Sequence, residues 1–255
     1  MTIHRSVGRR ARTRRLQPHD ARTISTPATT ASPTSSSSPE QERDPPMTSH
    51  RYVYGVVDGD PVEFETDAVA GADRVYTISH RRLGAVVSDI DTTDPEETDE
   101  DAQRHDDILR EIMIDRDRAI VPMQFGMAFE SDRTIKNVLR GARPAFRRAM
   151  NDVEGRIELG LKVVRNEDAE VDDDAIEEAV AEELESIAAQ SVPNGLFSDR
   201  LVLNRSYLIE REDREAFDEA IARLEEADSH DEVTVRYTGP FAPYSFVDVE
   251  IGAQR

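Results

Sequence analysis

The stretch 157–163 alternates strictly between apolar residues and polar or small ones, and it is the clearest strand signal in the chain. Side chains of a β-strand point alternately to its two faces, so this pattern predicts a strand with one buried face. Such a strand needs neighbouring strands and a layer that covers its apolar side. The apolar positions are Ile157, Leu159, Leu161 and Val163.

Strand and helix signals alternate along the rest of the globular part. Short apolar runs typical of buried strands occur at 52–57, 75–79, 84–88, 119–123, 202–209, 233–237 and 247–251. Apolar residues at helical spacing occur at about 101–115, 131–149, 176–187 and 217–224. Ser131 is the expected N-cap of the second helix, and Pro144 should kink or break it. This succession predicts an α+β fold of antiparallel sheets layered with helices, ferredoxin-like in character.

Composition divides the chain into three parts. Residues 1–46 carry eight arginines and four acids and are rich in Ser, Thr and Pro, so we expect a disordered basic tail. Met47 follows this tail directly, and we interpret it as the native start of the protein; an arm that binds nucleic acid is the alternative. The acidic stretch 166–174 is the predicted boundary between an N-terminal α+β domain (47–166) and a C-terminal one (167–255).

The charge of the chain is strongly negative, at −21 with 53 acidic and 32 basic residues, and only Lys136 and Lys162 are lysines. At molar salt the Debye length falls to about 3 Å, which removes most of the self-repulsion. The composition therefore indicates a salt-loaded, halophilic cytoplasm; an ordinary acidic protein, or one with a basic partner, is the alternative. The charge argues against a nucleic-acid partner, and no apolar run approaches the roughly 20 residues that span a membrane.

The sequence contains no recognisable catalytic or metal-binding motif. It has no cysteine, no histidine pair at metal-ligand spacing, no phosphate-binding loop and no nucleophile elbow. We therefore predict no enzyme, no cofactor and no metal site. His105 lies on the apolar face of a predicted helix, and we interpret it as a buried, hydrogen-bonded structural residue. The alternative is a small-ligand-binding regulatory or enzymatic protein with a pocket at His105 and the turn 122–126.

Two apolar groups are candidates for contact with a partner. The first occupies alternate positions of 123–129, which would lie on one side of an extended segment; a plain core strand is the alternative. The second lies in a stiff, proline-containing loop at 241–246, for which packing between domains is the alternative. The members of the two groups are Met123, Phe125, Met127 and Phe129, and Phe241, Pro243, Tyr244 and Phe246.

Three segments, taken together in this order, resemble the gas vesicle accessory proteins of the F/L family. They are 52–57 (YVYGVV), 121–126 (VPMQFG) and 239–247 (GPFAPYSFV), and the likeness extends over about 51–251. The length of the globular part resembles the F branch more than the L branch. Within these segments we expect structural roles for Gly126, Gly239 and Pro240.

The resemblance implies a non-enzymatic accessory protein of gas vesicle formation. Members of the family are minor vesicle components in the cytoplasm that contact the small, very hydrophobic shell protein and other accessory proteins, in nucleation. A shell subunit with exposed apolar surface aggregates unless another molecule covers that surface. The expected partners are therefore the shell protein and other gas vesicle accessory proteins, with no nucleic acid and no membrane.

Overall fold

The computed structural model describes residues 49–167, 169–226 and 232–249. The predicted disordered tail, 1–46, lies outside these residues, as does Ile251. No helix within the described ranges is long and apolar enough to cross a membrane.

The first sheet is antiparallel and has the order β2-β3-β4-β1-β5, with β6 paired to β1. A β-bulge between Val53 and Gly55 changes which positions of β1 face each side. Tyr52 and Tyr54 therefore share one side of the sheet with Val57. The strands are β1 (His50–Asp58), β2 (Glu63–Glu65), β3 (Arg74–His80), β4 (Leu83–Ile90), β5 (Ile120–Pro122) and β6 (Ala128–Phe129).

Helices cover both faces of the first sheet. On one face lies α1 (Asp99–Arg110), whose N-cap Thr98 accepts a hydrogen bond from the Asp101 amide and which continues as a π-helical turn, Glu111–Asp115. The other face carries α2 (Asp132–Gly141) and α3 (Arg143–Val153). Ser131 caps α2 by accepting from the Thr134 amide, as predicted. Pro144 stands in the first turn of α3, where it ends one helix and starts the next.

The second sheet has the order β10-β7-β9-β8 and is also antiparallel. Its strands are β7 (Arg156–Arg165), β8 (Gln190–Pro193), β9 (Leu201–Glu210) and β10 (Val233–Phe241). The helices α4 (Asp173–Leu184) and α5 (Arg214–Glu226) are packed against it. β7 precedes the predicted boundary at 166, yet it belongs to this sheet because it pairs along its length with β9 and β10.

Two clusters of buried residues form the interior. The main core joins the α1 side of the first sheet to the apolar face of the second sheet under α4 and α5, where Ile157, Leu159, Leu161 and Val163 are all buried. The second core lies between the first sheet and the helices α2 and α3. The predicted α+β class, with antiparallel sheets layered with helices, is confirmed.

The predicted strand at 247–251 does not form within the described residues. Tyr244–Phe246 makes a 3-10 turn, and 247–249 follow it without strand pairing. Val247 and Val249 instead pack against the second core, so their apolar character reflects burial and not strand periodicity. The short strands β2 and β8 were not predicted, because each is too short to show a clear apolar run or apolar–polar alternation in the sequence.

Candidate functional site

The three segments that resemble the F/L family converge on one side chain, His105 of α1. The His105 ring lies 5.6 Å from Tyr52, 5.4 Å from Tyr54, 5.8 Å from Phe125 and 6.4 Å from Tyr244, measured between ring centroids. We call these five residues the aromatic cluster. It brings together β1, α1, the turn after β5 and the loop after β10, which are far apart in sequence. The prediction that His105 is buried is confirmed, since it is 1% exposed.

Hydrogen bonds fix the polar atoms of the aromatic cluster. The Gly126 amide donates to Tyr52 Oη at 3.1 Å, and Tyr52 Oη lies 2.8 Å from His105 Nδ1. The Tyr52 hydroxyl oxygen accepts from Gly126, and the tautomer of His105 sets which partner donates in the bond to Nδ1. His105 Nε2 is buried and makes no hydrogen bond of normal geometry with another described residue.

Burial keeps the aromatic cluster uncharged near neutral pH. Desolvation lowers the pKa of His105 to about 4, and a backbone interaction with Met123 opposes part of that shift. Desolvation also raises the pKa of Tyr54 to about 12 and raises the pKa of Tyr52 well above its usual range. A neutral, packed histidine of this kind orients its neighbours; it is not poised to exchange protons near pH 7.

A polar contact ties the loop after β10 to the second sheet. Glu158 of β7 is only 6% exposed, and its carboxylate accepts from the Ser245 amide at 2.9 Å and from Ser245 Oγ at 2.6 Å. Ser245 Oγ also lies 3.2 Å from Ser206 Oγ, to which Asn194 Nδ2 donates. We call the Glu158–Ser245 contact the clasp and residues 241–249 the closing segment. The clasp holds the closing segment over the polar face of the sheet.

The entry to the closing segment is sterically tight. Gly239 has φ +122°, and a Cβ there would lie 3.0 Å from the Glu158 carbonyl oxygen, so the position requires glycine. Pro240 and Pro243 are buried, and Phe246 is half-buried. Phe241 is 40% exposed at the end of β10.

A cleft of about 160 Å³ separates α1 from the start of the closing segment. Tyr244 Oη donates to Asp106 Oδ1 at 3.4 Å at the end of α1, and desolvation raises the pKa of Asp106. Phe241 forms the apolar side of the cleft, and Asp107 and Arg110 lie on its polar side. The cleft therefore presents an accessible aromatic ring beside charged groups.

The first apolar group does not lie on one side of an extended segment, and that prediction is wrong. The chain turns at 125–126, where Gly126 has φ +85°. As a result Phe125 packs against the main core, whereas Met123, Met127 and Phe129 belong to the second core. Met123 is 5% exposed, and the other three are half-buried.

Sequence reasoning missed the clasp and the most exposed apolar side chains. Glu158 stands at a polar position of an alternating strand, which is normally a solvated position, so only the covering loop explains its burial. Leu196 and Phe197, in the loop between β8 and β9, are 60% and 75% exposed, and Lys162 Nζ lies 5.4 Å from the Phe197 ring centroid. The described residues contain no group of three His, Asp or Glu side chains that could hold a metal ion.

Comparisons with known proteins cover almost the whole described chain. The family model described as gas vesicle synthesis protein GvpL/GvpF matches residues 50–177 and 165–248. Gas vesicle protein F of Haloferax mediterranei is 51% identical over 210 residues, or 82% of this chain and 98% of that protein. Gas vesicle protein F1 of Halobacterium salinarum is 48% identical over 210 residues, with the same coverage of 82% and 98%.

Solved structures match the fold. The crystal structure of the gas vesicle protein GvpF from an Anabaena species matches with a TM-score of 0.70 at 15% identity, covering 79% of this chain and 99% of that chain. The GvpF structure from Microcystis aeruginosa matches with a TM-score of 0.70 at 14% identity, covering 78% and 99%. At such low identity the likeness concerns the fold alone.

Proposed function

Since this chain belongs to the gas vesicle synthesis protein GvpL/GvpF family, we propose that it binds the hydrophobic gas vesicle shell protein during nucleation, together with other accessory proteins. The family membership, the F branch and the halophilic character predicted from the sequence are confirmed. An accessory role in gas vesicle formation follows from the family. We place the protein in the cytoplasm, as a minor component of the vesicle.

One observation carries the proposed contact: Phe241, in the segment 239–247 that resembles the family, is exposed on the cleft beside α1. The aromatic cluster and the clasp fix the closing segment, so Phe241 is presented in a defined position. An aromatic side chain that is already ordered loses little conformational entropy when a partner covers it. A shell protein with exposed apolar surface would gain from such a contact.

The two predicted contact groups differ in what they can offer a partner. Met123 and Pro243 are buried, so they offer little surface to a partner. Phe125 and Tyr244 are half-buried, and both rings contact His105, so part of each ring is open to a partner. We therefore centre the proposed contact on Phe241, with Phe125 and Tyr244 around it. Met127, Phe129 and Phe246, which are also half-buried, stay in the proposal as outer positions.

A matched pair of variants tests this contact. Phe241→Asp should lower capture of co-expressed shell protein by the full chain at least about tenfold in molar KCl, because a charge would replace the central apolar group. Phe197→Asp introduces the same change at a more exposed phenylalanine and should leave capture unchanged. Circular dichroism spectra control for folding. Equal capture by the two variants would refute the proposed contact while leaving the family membership intact.

The alternative, a small-ligand pocket at His105, has one observation in its favour: the buried Nε2 atom makes no hydrogen bond of normal geometry with another described residue. A ligand would have to enter between the four rings that surround His105. His105→Gln separates the two functions. Under our proposal the variant loses stability but, where folded, retains shell-protein capture. Loss of a ligand-dependent activity with unchanged stability would favour the alternative.

A further inference from the structure

The helices α2 and α3 form a strongly basic surface on an acidic protein. Residues 133–148 contain six basic residues and no acid, in a chain with a formal charge of −21. Five of the six side chains are exposed, and Arg143 is half-buried. We call the six the basic surface: Arg133, Lys136, Arg140, Arg143, Arg147 and Arg148.

The basic surface is unusual because no ion pair with another described residue neutralises its charges. Across the described ranges, none of its six side chains makes an ion pair, whereas eleven other arginines do. Among the described residues, the one side-chain hydrogen bond of the surface joins Arg140 to Asn137 within α2. Arginines on a helix that make no ion pair can bind a carboxylate through two parallel hydrogen bonds of the planar guanidinium group.

The second sheet carries the opposite charge on its own outer helix. The helix α4 and the turn after it, residues 173–185, contain seven acids and no basic residue. Asp173 and Glu183 pair with arginines of the same chain, but Asp174, Glu178 and Glu182 have no ion pair among the described residues and are exposed. These three recur every four residues, so they line one face of α4.

The two charged surfaces are held in different layers. The helices α2 and α3 pack on the first sheet, and α4 packs on α5 and β9 of the second sheet. Each surface is therefore available to another molecule. From this complementarity we infer that the basic surface binds α4 of a second copy of this chain.

Salt decides when this contact operates. At low salt the net charge of −21 repels two copies over long distances. At molar salt the Debye length is about 3 Å, so only groups in direct contact interact, and there the basic surface faces carboxylates. The proposed association is therefore compatible with the salt-loaded cytoplasm that the composition indicates.

Nucleic acid fits the basic surface less well. Six phosphate contacts would lose most of their affinity at molar salt, because counterion release no longer drives binding. The helices also lack an exposed aromatic ring for base stacking, since Phe146 is fully buried. The inference does not rest on the proposed shell contact, and Phe241→Asp should self-associate like the original chain.

Charge reversal on each surface provides the test. Arg147→Glu with Arg148→Glu alters the basic surface, and Glu178→Arg with Glu182→Arg alters α4; all four side chains are exposed. Each variant of the full chain should associate at least about tenfold more weakly than the original in sedimentation velocity at about 2 M KCl. An equimolar mixture of the two variants should associate again, because each then meets a complementary partner.

A control variant and two outcomes make the test decisive. Arg81→Glu with Arg236→Glu makes the same charge change at exposed arginines that have no ion pair within the described part of the chain, and it should associate like the original. A chain that stays monomeric at about 100 µM would overturn the inference, as would a mixture that fails to associate. If the monomer instead binds a DNA duplex only when Arg147 and Arg148 are present, the surface serves nucleic acid and the inference is wrong.

Discussion

The clasp makes a quantitative prediction about how the closing segment is held. Ser245→Ala removes the hydroxyl that donates to Glu158 Oε1 at 2.6 Å and leaves the backbone amide as the only donor from residue 245. Glu158 is only 6% exposed in the original chain, which limits how far water can replace the lost donor.

The expected loss follows from the chemistry of the acceptor. A hydrogen bond to a charged group contributes about 1.5–3 kcal/mol to the free energy of unfolding, and an unsatisfied buried acceptor costs a similar amount. For a folded unit of this size, that loss corresponds to a fall of about 3–12 °C in melting temperature. Replacing both side chains, as Glu158→Leu with Ser245→Ala, removes the buried carboxylate but leaves the backbone amide of residue 245 without its acceptor, so it should restore only part of the loss.

Urea titrations in molar KCl measure these differences, and Ser186→Ala is the matched control. Ser186 is exposed and makes no hydrogen bond within the described ranges. Hydrogen exchange of the backbone amides at 242–249 reports local opening, which should increase in Ser245→Ala and not in Ser186→Ala. If the free energies of unfolding of Ser245→Ala and Ser186→Ala differ by less than about 0.5 kcal/mol and their amides exchange equally, the clasp does not hold the closing segment.

Three further substitutions test the second core, the aromatic cluster and a close strand contact. Phe146→Ala should lower the free energy of unfolding, measured in urea, by about 3–5 kcal/mol because the side chain is fully buried. The control Phe197→Ala removes an exposed side chain and should change this free energy by less than about 0.5 kcal/mol. Equal losses in the two variants would contradict the prediction. The pKa of His105 falls from 6.5 in the unfolded chain to about 4 in the folded chain. Between these pH values the unfolded state binds more protons than the folded state. The free energy of unfolding therefore decreases by about 3 kcal/mol as the pH drops from 6.5 to about 4. His105→Gln should remove this part of the pH dependence in paired thermal melts, and an unchanged slope would contradict it. In Gly55→Ala the new Cβ would lie 2.7 Å from the Ile120 side chain of β5. We expect this clash to cost about 1–3 kcal/mol of stability and to lower the melting temperature by about 2–12 °C. The control Gly195→Ala places its Cβ in open space and should not lower the melting temperature.

Sequence periodicity predicted most strands and helices because it reports which face of an element is buried. The alternation at 157–163 placed Ile157, Leu159, Leu161 and Val163 correctly on the core side. The cap at Ser131 and the break before Pro144 were also visible, because both depend on local hydrogen bonds and ring geometry. The position of His105 on the apolar face of α1 was enough to predict that its side chain is buried.

Periodicity failed where a distant segment decides the environment. Glu158 is buried because Ser245, which is 87 residues away, covers it, and no local pattern contains that information. Phe125 lies on the opposite side from Met123 because the chain turns at Gly126 and the alternation no longer applies. The pairing of β7 with β9 instead of with the first sheet likewise depends on long-range register.

The positions of the proposed contacts imply that they act independently. All large apolar side chains that are exposed within the described residues, namely Leu196, Phe197 and Phe241, lie at the second sheet, whereas the basic surface lies on α2 and α3 of the first. Substitutions that share no partner usually have additive effects. Phe241→Asp should therefore reduce shell-protein capture by the same factor with or without Arg147→Glu and Arg148→Glu. If the reduction in capture caused by Phe241→Asp differs when Arg147 and Arg148 are replaced by Glu, the shell contact depends on self-association. The two surfaces would then form one site.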